Sequence, residues 1–360
     1  MKLVKLGVLL AVLATIFTLA ISLGSVNIPP GDIFRVILYR TIGIGDMDNV
    51  RAAHQSIVWE LRLPRVLLAF IVGAALAVSG AVMQSVLRNP LASSFTLGVS
   101  SGASFGAALV IFTGIAAAFT SAVTIINAPG AMGSFFATIA DLPLPIAGFT
   151  FGMLTIVLVV VMSTKMDGRM ENSTIILVGM VISLFINALT TLLMAIEQQY
   201  ASRLIFWQLG SFSMRGWAAL WILAPIVIAG VLLVLKYHRE LDIMTFGEQD
   251  SQLLGVDIKK IKWILLIIAA AITGSAISFV GIIGFVDLVA PHVVRRIFGA
   301  RHAYIIPLSA VFGGAFMILC DLIARLVVSP GELPVGVVSA LIGAPFFAYV
   351  FFVSRRDKTY

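Results

Sequence analysis

Few side chains in this 360-residue chain are placed to do chemistry, and those that are fall into three groups. The first is a polar row. Ser183, Asn187, Thr190 and Thr191 fall at i, i+4, i+7 and i+8 inside an apolar run, so a helix carries them on one face. Polar groups are costly in lipid, so such a face turns toward neighbouring helices or a water-filled cavity. Interhelical hydrogen bonding and the lining of a passage both fit it. Asn172, Ser173 and Thr174 open the same run, where they can cap its amides or ring the mouth of a pore. The second group is charged. Asp321 and Arg325 lie four apart and can pair across one helical turn. Asp287 opens another apolar run and reads as the least protected acid, either a hydrogen-bonded structural group or a proton or cation site.

The third group is an island. Lys236 to Lys262, KYHRELDIMTFGEQDSQLLGVDIKKIK, holds ten of the 41 charged residues between two apolar runs. Short amphipathic helices between two membrane spans have a purpose if they touch something outside the membrane. The island therefore reads as a handle for a soluble partner.

Catalytic constellations are not found. There is no G-x-x-x-x-G-K-[ST] phosphate loop, no H-E-x-x-H and no G-x-S-x-G with triad partners. His292 has no second ligand nearby and makes a poor metal site. The one cysteine, Cys320, excludes an intrachain disulfide. The expectation is a chain with no enzyme activity and no cofactor or metal of its own.

The elements that position these residues must be membrane helices. The chain is 60% hydrophobic and 11% charged, with a mean hydropathy of +1.08. A soluble domain has about 25% charged residues. The apolar runs are continuous rather than alternating, which favours helices over a barrel. The expected fold is all-α and polytopic, one transmembrane domain over 1–360, with spans at 4–24, 62–84, 94–114, 144–165, 172–196, 217–236, 262–280, 283–298, 304–327 and 334–353. Residues 262–298 can also be read as one broken unit, and 115–140 has room for a further short helix. The first run is long for a cleaved signal and is read as a retained helix. Residues 25–61 form an outer segment, with Ile33, Phe34, Ile37 and Leu38 on one face of a surface helix.

Ten spans put both termini on one side. With that side cytoplasmic, 16 of the 24 Lys and Arg fall inside and 8 outside, as the positive-inside rule requires. This bias explains the net charge of +7, and no contiguous basic face suggests nucleic acid. Gly73, Ala77 and Ala81, and again Gly336, Ala340 and Ala344 beside Ser339 and Gly343, form small-residue stripes for close packing, within the subunit or along a dimer seam or pore wall.

The runs LRLPR (61–65), GAALAVSGAVMQ (73–84), RNPLA (88–92), LGVSSGASFG (97–106), GEQDSQLLGV (247–256), GFVDLVAPHVVR (284–295) and DLIARLVVSPGELPVGVVSALIGAPFF (321–347) resemble permease subunits of ABC importers for vitamin B12, ferric siderophores and haem. The resemblance covers nearly everything from residue 60. It implies ten spans, a second permease copy in a homodimer or close heterodimer, two separate ATPase subunits that hold ATP and Mg, a binding protein on the outer face, and a place in the cytoplasmic membrane. It also implies roles. The island becomes the ATPase-coupling loop, with Gly247, Glu248, Leu253, Leu254, Gly255 and Asp257 at its helices. Arg62, Arg65 and Arg325 become outer-face arginines for acidic residues of the binding protein. Ser173 and Thr174 fall at the inner gate. The fifth and tenth spans, with Ser183, Asn187, Thr190, Thr191 and Ser339, line the pathway. Asp287 departs from the family, which usually has Gly there. A ferric siderophore is the expected cargo, with haem or cobalamin as others. The alternative is a secondary transporter that uses Asp287 as a proton site.

Overall fold

The computed structural model describes residues 2–356, apart from 49, 116–117, 120, 122–141, 169, 214 and 329–330. The further helix suggested within 115–140 lies largely outside them. All regular structure among the described residues is helical. Among these residues seven helices are long and apolar enough to cross a membrane, and two shorter apolar helices accompany them.

The chain opens with α1 (Lys2–Ser22), followed by α2 (Pro30–Ile42) and α3 (Ala52–Ser56). A π-helical turn, Ile57–Arg62, joins α3 to α4 (Leu63–Val86), so helix runs unbroken over Ala52–Val86, well before the expected start at 62. Then come α5 (Val99–Thr113), α6 (Pro143–Met166), α7 (Asn172–Ile196), α8 (Gln198–Gln208) and α9 (Gly216–Lys236). Two short helices, α10 (His238–Met244) and α11 (Glu248–Leu253), occupy the charged island. The chain closes with α12 (Ile258–Val280), α13 (Val286–Phe298), α14 (His302–Leu326) and α15 (Val335–Arg356).

The centre of the bundle is α4. Of its most apolar stretch 83% is buried, against 28% for α7, so α4 is the mast and α7 lies at the edge. Small residues make this possible. A Cβ added at Gly73 would lie 2.2 Å from the Gly313 carbonyl oxygen on α14, and one at Gly80 would lie 1.9 Å from that of Asp287 on α13. The Gly73 stripe thus serves packing within the subunit. The stripe on α15 does so too, with Gly336 against the carbonyls of Leu209 and Ile282 and Gly343 against Phe285.

The stretch 262–298 resolves into two helices. Gly281 to Phe285 is non-helical, and Ser211 N–H reaches the Val280 carbonyl at 2.8 Å. This irregular backbone is held against protein, with Gly281 and Ile283 buried. Asp287, in the first turn of α13, is 2% exposed, which corrects its reading as the least protected acid: α4 packs directly on its backbone.

The surface helix is present as α2, but its faces divide differently. Ile33 and Val36 are buried, while Phe34 and Leu38 are exposed. His54 on α3 holds it through Asp32, with Nδ1 2.8 Å from Oδ2.

Candidate functional sites

At the end of the bundle where α4 begins, four charged groups converge. Arg65 Nε and Nη2 donate to Asp321 Oδ1 at 3.0 and 2.8 Å. Arg65 Nη1 and Nη2 donate to the two oxygens of Glu332 at 2.8 and 3.0 Å. Arg325 Nε lies 3.1 Å from Asp321 Oδ2, the four-residue pairing its spacing suggested. Ser213, in the connection from α8 to α9, donates its hydroxyl to Glu332. Asp321 is wholly buried, so these contacts act where water screens them least. Burial pushes the Glu332 carboxyl up, but hydrogen bonds from Arg65 and Ser213 and the charges of Arg65 and Arg325 outweigh it and leave it below its ordinary value. This tie is complete above that value and is lost as pH falls through the depressed one.

Arg62 is different. Its side chain is buried, and its guanidinium donates to the carbonyls of Ile21 (2.6 Å), Ser22 (3.0 Å) and Val26 (2.6 Å). Arg325 donates to the Ala20 carbonyl at 2.9 Å. The last carbonyls of a helix have no partner within it, so these two arginines close the end of α1. The three arginines expected on one surface are close together, but all are largely packed inside: Arg62 is buried, and the Arg65 and Arg325 side chains are 12% and 8% exposed. An open concavity of about 690 Å³ lies beside the cluster, lined by Arg62, Arg65, Arg215, Arg325, Glu60 and Glu332 among others.

The island lies at the opposite end. Gly247 precedes α11 with φ +128°. Gly255, at φ +81°, ends it: Gly255 N–H bonds the Gln252 carbonyl and Val256 N–H bonds that of Ser251, the paired closure of a left-handed cap. Asp257 then caps α12 by accepting from Lys260 N–H at 3.1 Å. Glu248 is the first residue of α11. Leu253 and Leu254 are 87% and 63% exposed, which leaves an apolar pair outward on the charged hook, with Phe246 also exposed between its two helices.

A relay runs from this hook into the bundle. Asp242 on α10 accepts from His302 N–H (2.8 Å) and faces His302 Nδ1 at 2.6 Å. His302 Nε2 lies 2.6 Å from Ser85 Oγ on α4, and Arg295 Nη2 donates to that hydroxyl at 3.0 Å. The order Asp–His–Ser matches a hydrolytic triad, but Ser85 is buried and also bonded to the Ala81 carbonyl, so its hydroxyl faces no substrate space. The relay fixes α10 to α4, α13 and α14 instead. Sequence reasoning missed it, as it missed Glu332 and Ser213.

The polar row on α7 divides. Asn187 and Thr191 are exposed, Ser183 is half-buried and Thr190 is buried. The three hydroxyls bond carbonyls four residues back in their own helix. Asn172, Ser173 and Thr174 do not cap α7. Its cap is Glu171, without a side-chain bond. Ser173 is exposed and Thr174 half-buried. Ser339 is buried, bonded to the Gly336 carbonyl at 3.0 Å. Thr190 and Ser339 are thus packed within the isolated subunit, 4% and 0% exposed.

Comparison with known proteins agrees with this architecture. The chain is 37% identical over 344 residues to an uncharacterized ABC transporter permease protein, YvrB, of Bacillus subtilis (strain 168), covering 96% of this chain and 92% of that one. It is 37% identical over 296 residues to the cobalamin import system permease protein BtuC of Halobacterium salinarum, covering 82% and 73%. Among solved structures, an inward-facing metal-chelate type ABC transporter superimposes with a TM-score of 0.79 at 27% identity, covering 98% of this chain and 99% of that one. The FecCD transport family matches residues 10–353. The chain is a multi-pass membrane permease and belongs to the FecCD transport family.

Proposed function

We propose that this chain is the membrane-spanning subunit of a binding-protein-dependent ABC importer, with ten spans and both termini in the cytoplasm. Beyond the seven long apolar helices, α5, α13 and α15 count as spans in this reading. A second copy completes the pathway, two ATPase subunits carry ATP and Mg, and a binding protein docks on the outer face, at the Arg65 cluster. The whole lies in the cytoplasmic membrane. The cargo is a metal chelate, with a ferric siderophore first and haem or cobalamin as the others. The observation that carries the proposal is the exposed Leu253–Leu254 pair on a capped, charged hook in a chain of this family. The charge bias toward the hook's side supports the orientation.

The test is reconstitution with the partner ATPase and binding protein. Uptake is expected to follow ATP hydrolysis and to survive a protonophore. Uptake that collapses with the proton gradient would establish the secondary transporter instead. Docking is best tested from the partner's side, because reversing Arg62 or Arg65 would break ties inside this subunit. Changing the binding protein's docking acids to Gln is expected to weaken docking, most at low salt.

The pathway reading has its own test. Polar side chains facing lipid are unfavourable, so the exposed Asn187 and Thr191 favour a wet surface. In a chain with Cys320→Ala, Asn187→Cys and Thr191→Cys are expected to react with a membrane-impermeant maleimide in at least one nucleotide state. The buried Ile182→Cys is the unreactive control. No reaction at either position in any state would place that face against lipid or another helix.

A further inference from the structure

Arg65 has both edges of its guanidinium fork occupied. One edge holds Asp321 and the other holds Glu332. The two carboxylates are not equivalent. Asp321 has no exposed surface and a second cation in Arg325, while the Glu332 side chain is 39% exposed and borders the concavity. An incoming carboxylate that takes the forked geometry of Arg65 must first displace one of these, and only Glu332 can leave toward water.

We propose that Glu332 is an internal stand-in for a docking carboxylate, and that an acidic side chain of the extracytoplasmic binding protein exchanges with it on the outer edge of Arg65. The inference rests on the docking reading above and deepens it. Charge balance favours a swap over an addition. Arg65 and Arg325 face Asp321 and Glu332, two against two, and the exchange preserves that balance in a poorly screened site. The exchange also has a structural output. Glu332 accepts from Ser213, and just beyond it Val335 and Gly336 N–H bond the carbonyls of Gly210 and Leu209. Displaced Glu332 therefore releases the Ser213 tie and leaves the two backbone bonds alone to join the α8–α9 connection to the entry to α15, next to the proposed pathway.

The test measures docking of the binding protein that stimulates ATP hydrolysis by the wild-type transporter, on permease in nanodiscs. Glu332→Gln is expected to tighten docking about three-fold, the scale of a partly exposed ion pair. Ser213→Ala, which loosens Glu332 without touching Arg65, is expected to move docking the same way. Glu60→Gln controls for net charge, because Glu60 lines the same concavity but is not bonded to Arg65. Unchanged or weaker docking by Glu332→Gln overturns the exchange, and so does equal tightening by Glu60→Gln. Failure of the docking reading looks different: the binding protein with its acids changed to Gln would then dock on wild-type permease as well as the native one.

Discussion

Replacing Asp321 with Ala is expected to destabilise the subunit by about 3–5 kcal/mol, the cost of leaving a buried charge without its partner. Asp321 is wholly buried and is the only carboxylate that touches both Arg65 and Arg325 among their described partners. Without it Arg65 keeps Glu332, but Arg325 keeps only the Ala20 carbonyl. The two guanidiniums are then brought together with one partly exposed acid between them. Asp321→Asn preserves volume and some hydrogen bonding and is expected to fall between Ala and the parent. Thermal unfolding of detergent-purified protein measures both. An Asp321→Ala variant that melts with the parent would mean that Glu332 alone neutralises the cluster.

Changing Leu253 and Leu254 together to Asp is expected to abolish assembly with the ATPase subunit and leave the permease itself intact. Burying a leucine side chain is worth about 1.5–3 kcal/mol, so the pair accounts for at least roughly a hundred-fold in affinity. Both side chains are exposed in the subunit, and the α11 cap is made by backbone groups of Ser251 to Val256, so no internal contact is lost. Co-purification with the ATPase and melting of the permease alone separate the two effects. Retained ATPase in the double variant would remove the hook from the docking surface.

The helices were legible because lipid demands continuous apolar runs: each of the ten runs read from the sequence holds a helix, and seven helices among the described residues are long and apolar enough to cross a membrane. The hook's punctuation was legible for a local reason: Gly255 and Asp257 act within four residues of themselves. The ion cluster was not. Arg65, Ser213, Asp321 and Glu332 are scattered over 267 positions, and Glu332 stood inside a quoted motif without a role. Arg62 was read as an outer-face group because the family resemblance implies one there. Only the fold shows that α1 ends against it. The α7 row shares a helical face as spaced, but packing against neighbours hides Thr190 while leaving Thr191 open. Asp287 was misjudged for the same reason, since burial depends on what α4 brings to it.

The central position of α4 also sets an order of events during synthesis. Its close partners α12, α13 and α14 begin at residues 258, 286 and 302. At about 5–20 residues per second, α4 waits tens of seconds or less in the bilayer before they emerge. During that interval Ser79 has no Ala269 carbonyl, Gln84 no Asp287 carbonyl and Arg65 no Asp321. A ribosome stalled before residue 258 therefore leaves a helix whose polar groups and glycine groove are open to any neighbour. Such a fragment presents to membrane quality control the surface that the finished bundle hides.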